Sequence, residues 1–269
     1  MKLSTDKKKS RLKLNKKWKL LFFSTILSYL LSLIAIVSLA NDNTTELDTT
    51  VLFQPPPESE QPENTDSAAS RDGKPYFQDC IATQDQEFSA INQTMTLIVP
   101  NENYGLTLKE RPTFWVYLPQ TSAQQIILSV KEEGVTPHWE QSIEVNEVKK
   151  EGGIIDIKLA DDAPILEAGK NYQWAVILVC ENRPNPNDPV VTSWIKRIDK
   201  SQIEKGDLST TATELEKAAN YARQGIWYDA LDILIALRES SINNWQDIWL
   251  KYLQSGGLDK IANKPIIIE

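Results

Sequence analysis

The residues able to do chemistry are few and scattered. His138 is the only histidine, which excludes any site built on two imidazoles and leaves one candidate for acid–base work. It stands in Gly134-Val135-Thr136-Pro137-His138-Trp139, a loop running into a strand, and no G-x-S-x-G elbow accompanies it. A single loop imidazole beside an indole reads as surface or packing. Asp161-Asp162 and the segment Asn182–Pro189, with Asn185, Asn187 and Asp188, are rich in side-chain oxygen. Their spacing matches no EF-hand loop, and Asn, Asp and Pro are ordinary turn residues. Acids able to serve as a glycosidase pair are plentiful, but nothing singles out two of them. The sequence therefore nominates no catalytic residue, no metal ligand and no cofactor, and the balance is against an enzyme. The remaining candidates are aromatic: Trp115, Tyr117, Trp139 and Trp194 could form a binding face, although aromatics in strands are more often core.

Two cysteines, Cys80 and Cys180, are the only thiols. In an oxidising compartment an even count favours a bridge between them. They lack the C-x-x-C spacing of a redox pair.

Export is the expectation that puts them in such a compartment. Residues 1–40 hold nine Lys/Arg and one acid, all before residue 20, and then an uncharged apolar run to Ala40. Ser38-Leu39-Ala40 places small residues where a signal peptidase reads them, so cleavage after Ala40 is the natural reading. A retained anchor is the alternative, because about 20 apolar residues also suffice to span a bilayer. Either way the basic flank orients residues 41–269 outward. Without the first forty residues the net charge falls from −8 to −16. So acidic a chain is repelled by nucleic acid phosphate, which is excluded as a partner; membrane contact is expected only through the N-terminal segment.

Behind these residues stand the elements that must position them. Residues 41–78 carry Pro55-Pro56-Pro57, Pro62 and many acids, and read as an extended disordered linker. Residues 79–200 read as a β-sandwich, and from about 90 to 200 the pattern has period two. Met95–Val99, Thr113–Leu118, Gln125–Lys131, Gln141–Asn146, Ile154–Leu159, Lys170–Cys180 and Val190–Ile198 read as seven strands of a β-sandwich. Lys170–Cys180 is apolar on both faces, the mark of a central strand. Over 205–266 the period becomes helical. Thr211-x-x-Glu214 is a candidate capping box, and three amphipathic helices follow, the last carrying Trp245, Trp249 and Tyr252 up to Gly256-Gly257.

Three resemblances sharpen this outline. Leu166-Glu167-Ala168-Gly169-Lys170-Asn171-Tyr172 resembles the tyrosine corner of fibronectin type III domains, with Ala168 in place of proline. It implies that the Tyr172 hydroxyl returns to backbone just upstream. Tyr172 precedes Cys180 by eight residues rather than the two usual in immunoglobulin domains, so a bridge would clip the segment before the first strand to the sandwich rim. Gln224–Leu231, with Gly225 and Ala230, is similar to the turn of a tetratricopeptide repeat, where Gly permits close helix crossing and Ala close packing. Only one such unit is visible, which favours a helical hairpin docked on the sandwich. Finally, Arg111–Tyr117, the Leu166–Trp174 motif, Gly225–Leu231 and the tail Gly257-Leu258-x-x-Ile261-Ala262-x-x-Pro265-Ile266 together resemble the exported cyanobacterial domain-of-unknown-function family DUF928, over about residues 75–266. That resemblance implies the architecture and an envelope location, and brings no activity. The expectation is a mainly β protein, an immunoglobulin- or fibronectin-like sandwich followed by a tetratricopeptide-like hairpin. Its expected role is a non-enzymatic module for an envelope protein partner, with a carbohydrate-binding protein or glycoside hydrolase as the alternative.

Overall fold

The computed structural model describes residues 50–57, 61–62, 80, 94–136, 138–203, 212–240, 242 and 244–268. The export segment with Ala40, and most of the segment read as a linker, lie outside these residues. Residues 49–269 group as one compact unit. It is mixed and mostly β, with two sheets and a few helices.

The strands are β1 (Thr96–Leu97), β2 (Tyr104–Thr107), β3 (Thr113–Leu118), β4 (Gln125–Glu132), β5 (Trp139–Glu144), β6 (Gly153–Lys158), β7 (Asn171–Val179), β8 (Val190–Arg197) and β9 (Ile266–Ile267). One sheet has the order β1-β3-β6-β9 and the other β2-β8-β7-β4-β5. β7 lies between β8 and β4, the central place its apolar pattern predicts. Alternation decides what each strand buries. Phe114 of β3 and Trp174 of β7 meet at 4.5 Å between ring centroids, so the two sheets face each other across a shared interior.

Three elements differ from the sequence reading. The fifth strand runs Trp139–Glu144, two residues earlier than expected, and Asn146 instead caps a short helix α1 (Glu147–Lys150) by accepting from Lys149 N. β2 and β9 were not expected at all. β2 contains Gly105 between Asn103 and Leu106, which reads as a turn. Its partner β8 lies parallel and far along the chain, so no local pattern announces it. β9 likewise joins parallel to β6 at the C-terminal end of the chain.

The helices are α2 (Glu214–Arg223), α3 (Trp227–Ala236) and α4 (Trp245–Ser255). The capping box is Thr213 with Glu216, not Thr211 with Glu214, and Thr211 lies outside the described residues. The Thr213 side chain accepts from Glu216 N and the Glu216 carboxylate from Thr213 N, satisfying two orphan donors reciprocally. Those bonds hold the Glu216 carboxyl below its ordinary range.

The helical region and the sheets share one hydrophobic core, so the division near residue 200 is not a boundary between cores. α3 contacts β2 of one sheet and β3 of the other. Its Tyr228 enters the interior: Trp174 Nε1 donates to the Tyr228 hydroxyl at 2.9 Å, and that hydroxyl donates to Trp194 O at 3.3 Å. Burial raises the Tyr228 pKa. Gly105 makes the approach feasible, because a Cβ there would stand 3.0 Å from Trp227 Cβ and 3.1 Å from Tyr228 Cε2.

The expected linker is also corrected in part. Residues 50–57 pack on the helices, with Val51, Phe53 and Pro56 buried. Gln54 N donates to Ala222 O at 2.9 Å, and Phe53 N to Ser255 Oγ at 2.8 Å. Phe53 meets the edge of Trp227 at 4.9 Å. A proline-rich strand loses little entropy on docking, and composition does not show that a few apolar residues have a waiting groove. Gly225 takes a different role from the one its resemblance implied. Its φ of +74° ends α2, and its missing Cβ leaves room for Pro56 rather than for a helix crossing. Ala230 is fully buried in α3.

Candidate functional site

The turn from Leu166 to Tyr172 lies at an end of the sheets where several sequence candidates meet. Gly169, at φ +84°, turns the chain into β7. Tyr172 on β7 then accepts a hydrogen bond from Glu167 N at 2.9 Å, as its motif predicts, and burial raises its pKa. Leu166 N donates to Glu110 O at 3.0 Å, Gly169 N to Arg197 O at 2.7 Å, and Arg197 Nη1 to Leu166 O at 2.8 Å. Farther back, Arg111 donates to Ala160 O and Asp161 O. The loop from 160 to 170 is thus held at both ends before any ligand arrives.

Beneath it lies a cleft of about 290 Å³ lined by Val130, Glu132, Val135, His138, Trp139, Pro164, Ile165, Leu166, Glu167 and Tyr172. Val130 pairs with both Trp139 and Trp174, and Glu132 with Tyr172, so these side chains project on the interior side of the sheet. The cleft is therefore a mouth into the space between the sheets. Its two carboxylates are held by one ammonium. Lys170 Nζ lies 3.0 Å from Glu132 and 3.0 Å from Glu167, and these two contacts raise its pKa, Glu132 contributing most. His138 Nε2 lies 2.9 Å from Glu140 Oε1, with both side chains about half exposed. Its apolar and aromatic lining is Val130, Val135, Trp139, Pro164, Ile165 and Leu166, of which Pro164 and Ile165 are exposed and Val130 and Leu166 buried.

Among the described residues that line the cleft with His138 there is no serine, threonine or cysteine. The two carboxylates share one ammonium instead of flanking an open space as a glycosidase pair does.

The four nominated aromatics do not line one groove. Trp115 and Tyr117 are each only 5% exposed. Trp115 Nε1 donates to Asp232 Oδ1 of α3 at 2.6 Å, and Lys264 Nζ stands 5.3 Å from the Tyr117 ring centroid. Both are covered by the helical region. Trp194 pairs with Gln173, one residue from the inward Trp174, and so faces away from the interior. Its buried Nε1 has no hydrogen-bond partner among the described residues. Only Trp139 belongs to the cleft.

Cys80 and Cys180 are bonded. Cys80 O accepts from Thr121 Oγ1 and from Ser122 N, and Cys180 directly follows β7. The bridge thus clips the segment before β1 to the rim beside the β3–β4 connection, and it fits an oxidising compartment. The oxygens read as candidate cation ligands make turns instead. Asp188 accepts from Cys180 N and Asn185 N, and Asn185 Oδ1 from Asn187 N. Among the described residues no three His, Cys, Asp or Glu side chains converge as a metal site, and no helix is long and apolar enough to cross a membrane.

Fold and cleft together define a class: a two-sheet β domain that shares its core with a helical region and carries a mostly apolar cleft. The chain belongs to the family described as Domain of Unknown Function (DUF928), which it matches over residues 66–266. No match to a curated protein was found.

Proposed function

We propose that this chain is an exported, non-enzymatic module that binds another envelope protein by taking an apolar side chain into the Trp139 cleft. The observation that carries the reading is the lining of that cleft: its two carboxylates, Glu132 and Glu167, are held by Lys170, while Trp139, Val135, Pro164 and Ile165 give it partly or fully exposed apolar surface. A fixed apolar socket ringed by satisfied polar groups is what a protein-binding hot spot requires. The bridge between Cys80 and Cys180 supports an exported setting. Strand order and the Glu167–Tyr172 corner support a fibronectin-like topology, and the α2–α3 hairpin around Gly225 a single tetratricopeptide-like unit.

The test is site-specific photocrosslinking in the native envelope, with benzoylphenylalanine at Ile165 and, as control, at the exposed Val148 of α1. One discrete adduct is expected from position 165, absent from 148 and lost when Trp139→Ala is added. A chain recovered as free monomer from both positions defeats the proposal. N-terminal sequencing of the mature chain separates release after Ala40 from anchoring.

A further inference from the structure

A second cleft, of about 250 Å³, lies within the helical region and shares no residue with the Trp139 cleft. Arg238, Trp245, Gln246, Trp249, Asn263 and Lys264 supply its functional groups. Two cations, Arg238 and Lys264, are among its lining residues, in a chain whose residues 41–269 carry a net charge of −16. Neither is loosely held. Arg238 follows α3 and spends one guanidinium donor on Ile266 O at 2.8 Å, which fixes the fork and leaves further N–H donors for a second acceptor. Lys264 Nζ is steadied over the Tyr117 ring.

The aromatic wall is just as fixed. Trp245 stacks on Trp249 at 5.6 Å with 13° between planes. Their indole N–H groups are turned inward, Trp245 to Leu234 O at 2.7 Å and Trp249 to Ala262 O at 2.9 Å. With its N–H spent, half-buried Trp245 offers the hollow ring surface, not a donor. Exposed Gln246 and Asn263 add amides able to donate and accept. A guanidinium fork and an ammonium suit a carboxylate. An indole face suits the C–H face of a sugar ring, and amides suit its hydroxyls. A peptide carboxylate would use the cations and leave the ring and amides idle.

We infer that this cleft binds a carboxylate-bearing sugar, a uronate residue of an acidic polysaccharide, through Arg238 and Lys264 with Trp245 as the stacking surface. This goes beyond the protein-binding reading and uses different residues, so either can fail alone. A module with both sites would join an envelope protein to an acidic glycan.

The experiment is calorimetric titration of the full-length chain with a galacturonate trisaccharide, the neutral galactose trisaccharide and a glutamate peptide of equal charge. Saturable binding of the galacturonate is expected, at least tenfold tighter than either comparison ligand and weakening with salt. Arg238→Gln and Lys264→Gln should each weaken it about tenfold, the scale of one charge-assisted contact, while Trp139→Ala leaves it unchanged. Equal binding of the peptide or the neutral sugar, retention in the double variant, sensitivity to Trp139→Ala, or no binding at millimolar sugar overturns the assignment. Should the double variant not fold, Gln246→Ala and Asn263→Ala decide, each expected to weaken binding severalfold; unchanged affinity in both counts against the site.

Discussion

Asp229 shows how one side chain can hold a helix to a sheet. Its carboxylate, nearly out of solvent on α3, accepts from Thr107 Oγ1 at 2.8 Å and from Leu108 N at 3.0 Å. Burial raises its pKa, against the lowering effect of those bonds. A carboxyl with a raised folded-state pKa binds its proton more tightly when folded. Its stabilising effect is therefore full below the unfolded-state pKa and lost as pH rises through the folded one. Asp229→Asn keeps an acceptor for both donors and carries no charge, so its stability relative to the native chain should rise from acid to neutral pH. Asp229→Ala strands both buried donors and should cost about 2–4 kcal/mol. Urea denaturation of the three proteins across that pH range checks both expectations. Neither bond is visible in the sequence, where Asp229 is simply one acid of a helix and Thr107 lies more than a hundred residues away.

At the scale of elements, two substitutions separate local from tertiary causes. Thr213→Ala removes the N-cap of α2 and should cost about 1 kcal/mol, read from thermal unfolding. The sequence offers two Thr-x-x-Glu patterns two residues apart, and the face that α2 buries, with Ala218, Ala219 and Ala222, selects the second. Gly105→Ala tests the seat of α3 on β2. An added methyl would press on the Trp227 and Tyr228 side chains, and overpacking of this kind costs about 1–3 kcal/mol. A Gly inside a strand is a known sign of close approach. Here it lay in a strand that could not be recognised without its distant partner.

For the whole molecule, two attachments tie the N-terminal side of the chain to the rest. The bridge closes a separation of 100 residues, and the chain-entropy treatment gives such a loop about 4–5 kcal/mol. Cys80→Ser with Cys180→Ser should lower stability by about that amount, read from the urea midpoint under oxidising conditions. The strap at 50–57 acts on the helical side. Trp227 is stacked on Tyr252 at 4.5 Å, capped by Phe53, and hydrogen-bonded through Nε1 to Ile98 O at 2.8 Å. Phe53→Ala should cost about 3–5 kcal/mol and shift tryptophan fluorescence to the red as Trp227 gains water; an unchanged spectrum would mean the strap does not seal that ring.

Local rules were enough for the parts of this protein whose causes are local. Alternation from Thr113 to Leu118 and from Asn171 to Val179, the helical period around Trp227 and Trp245, and the Gly169–Tyr172 corner are written within a few residues of where they act. The cysteine pair was legible from its even count and the compartment the export reading predicts. What only tertiary structure decided rests on partners far along the chain: β2 against β8, β9 against β6, Tyr228 between the sheets, and Phe53 on Trp227. The aromatics divide the same way. Trp115, Tyr117, Trp139 and Trp194 share a residue class, and their fates differ because burial depends on which element packs over each ring, a quantity no single segment carries.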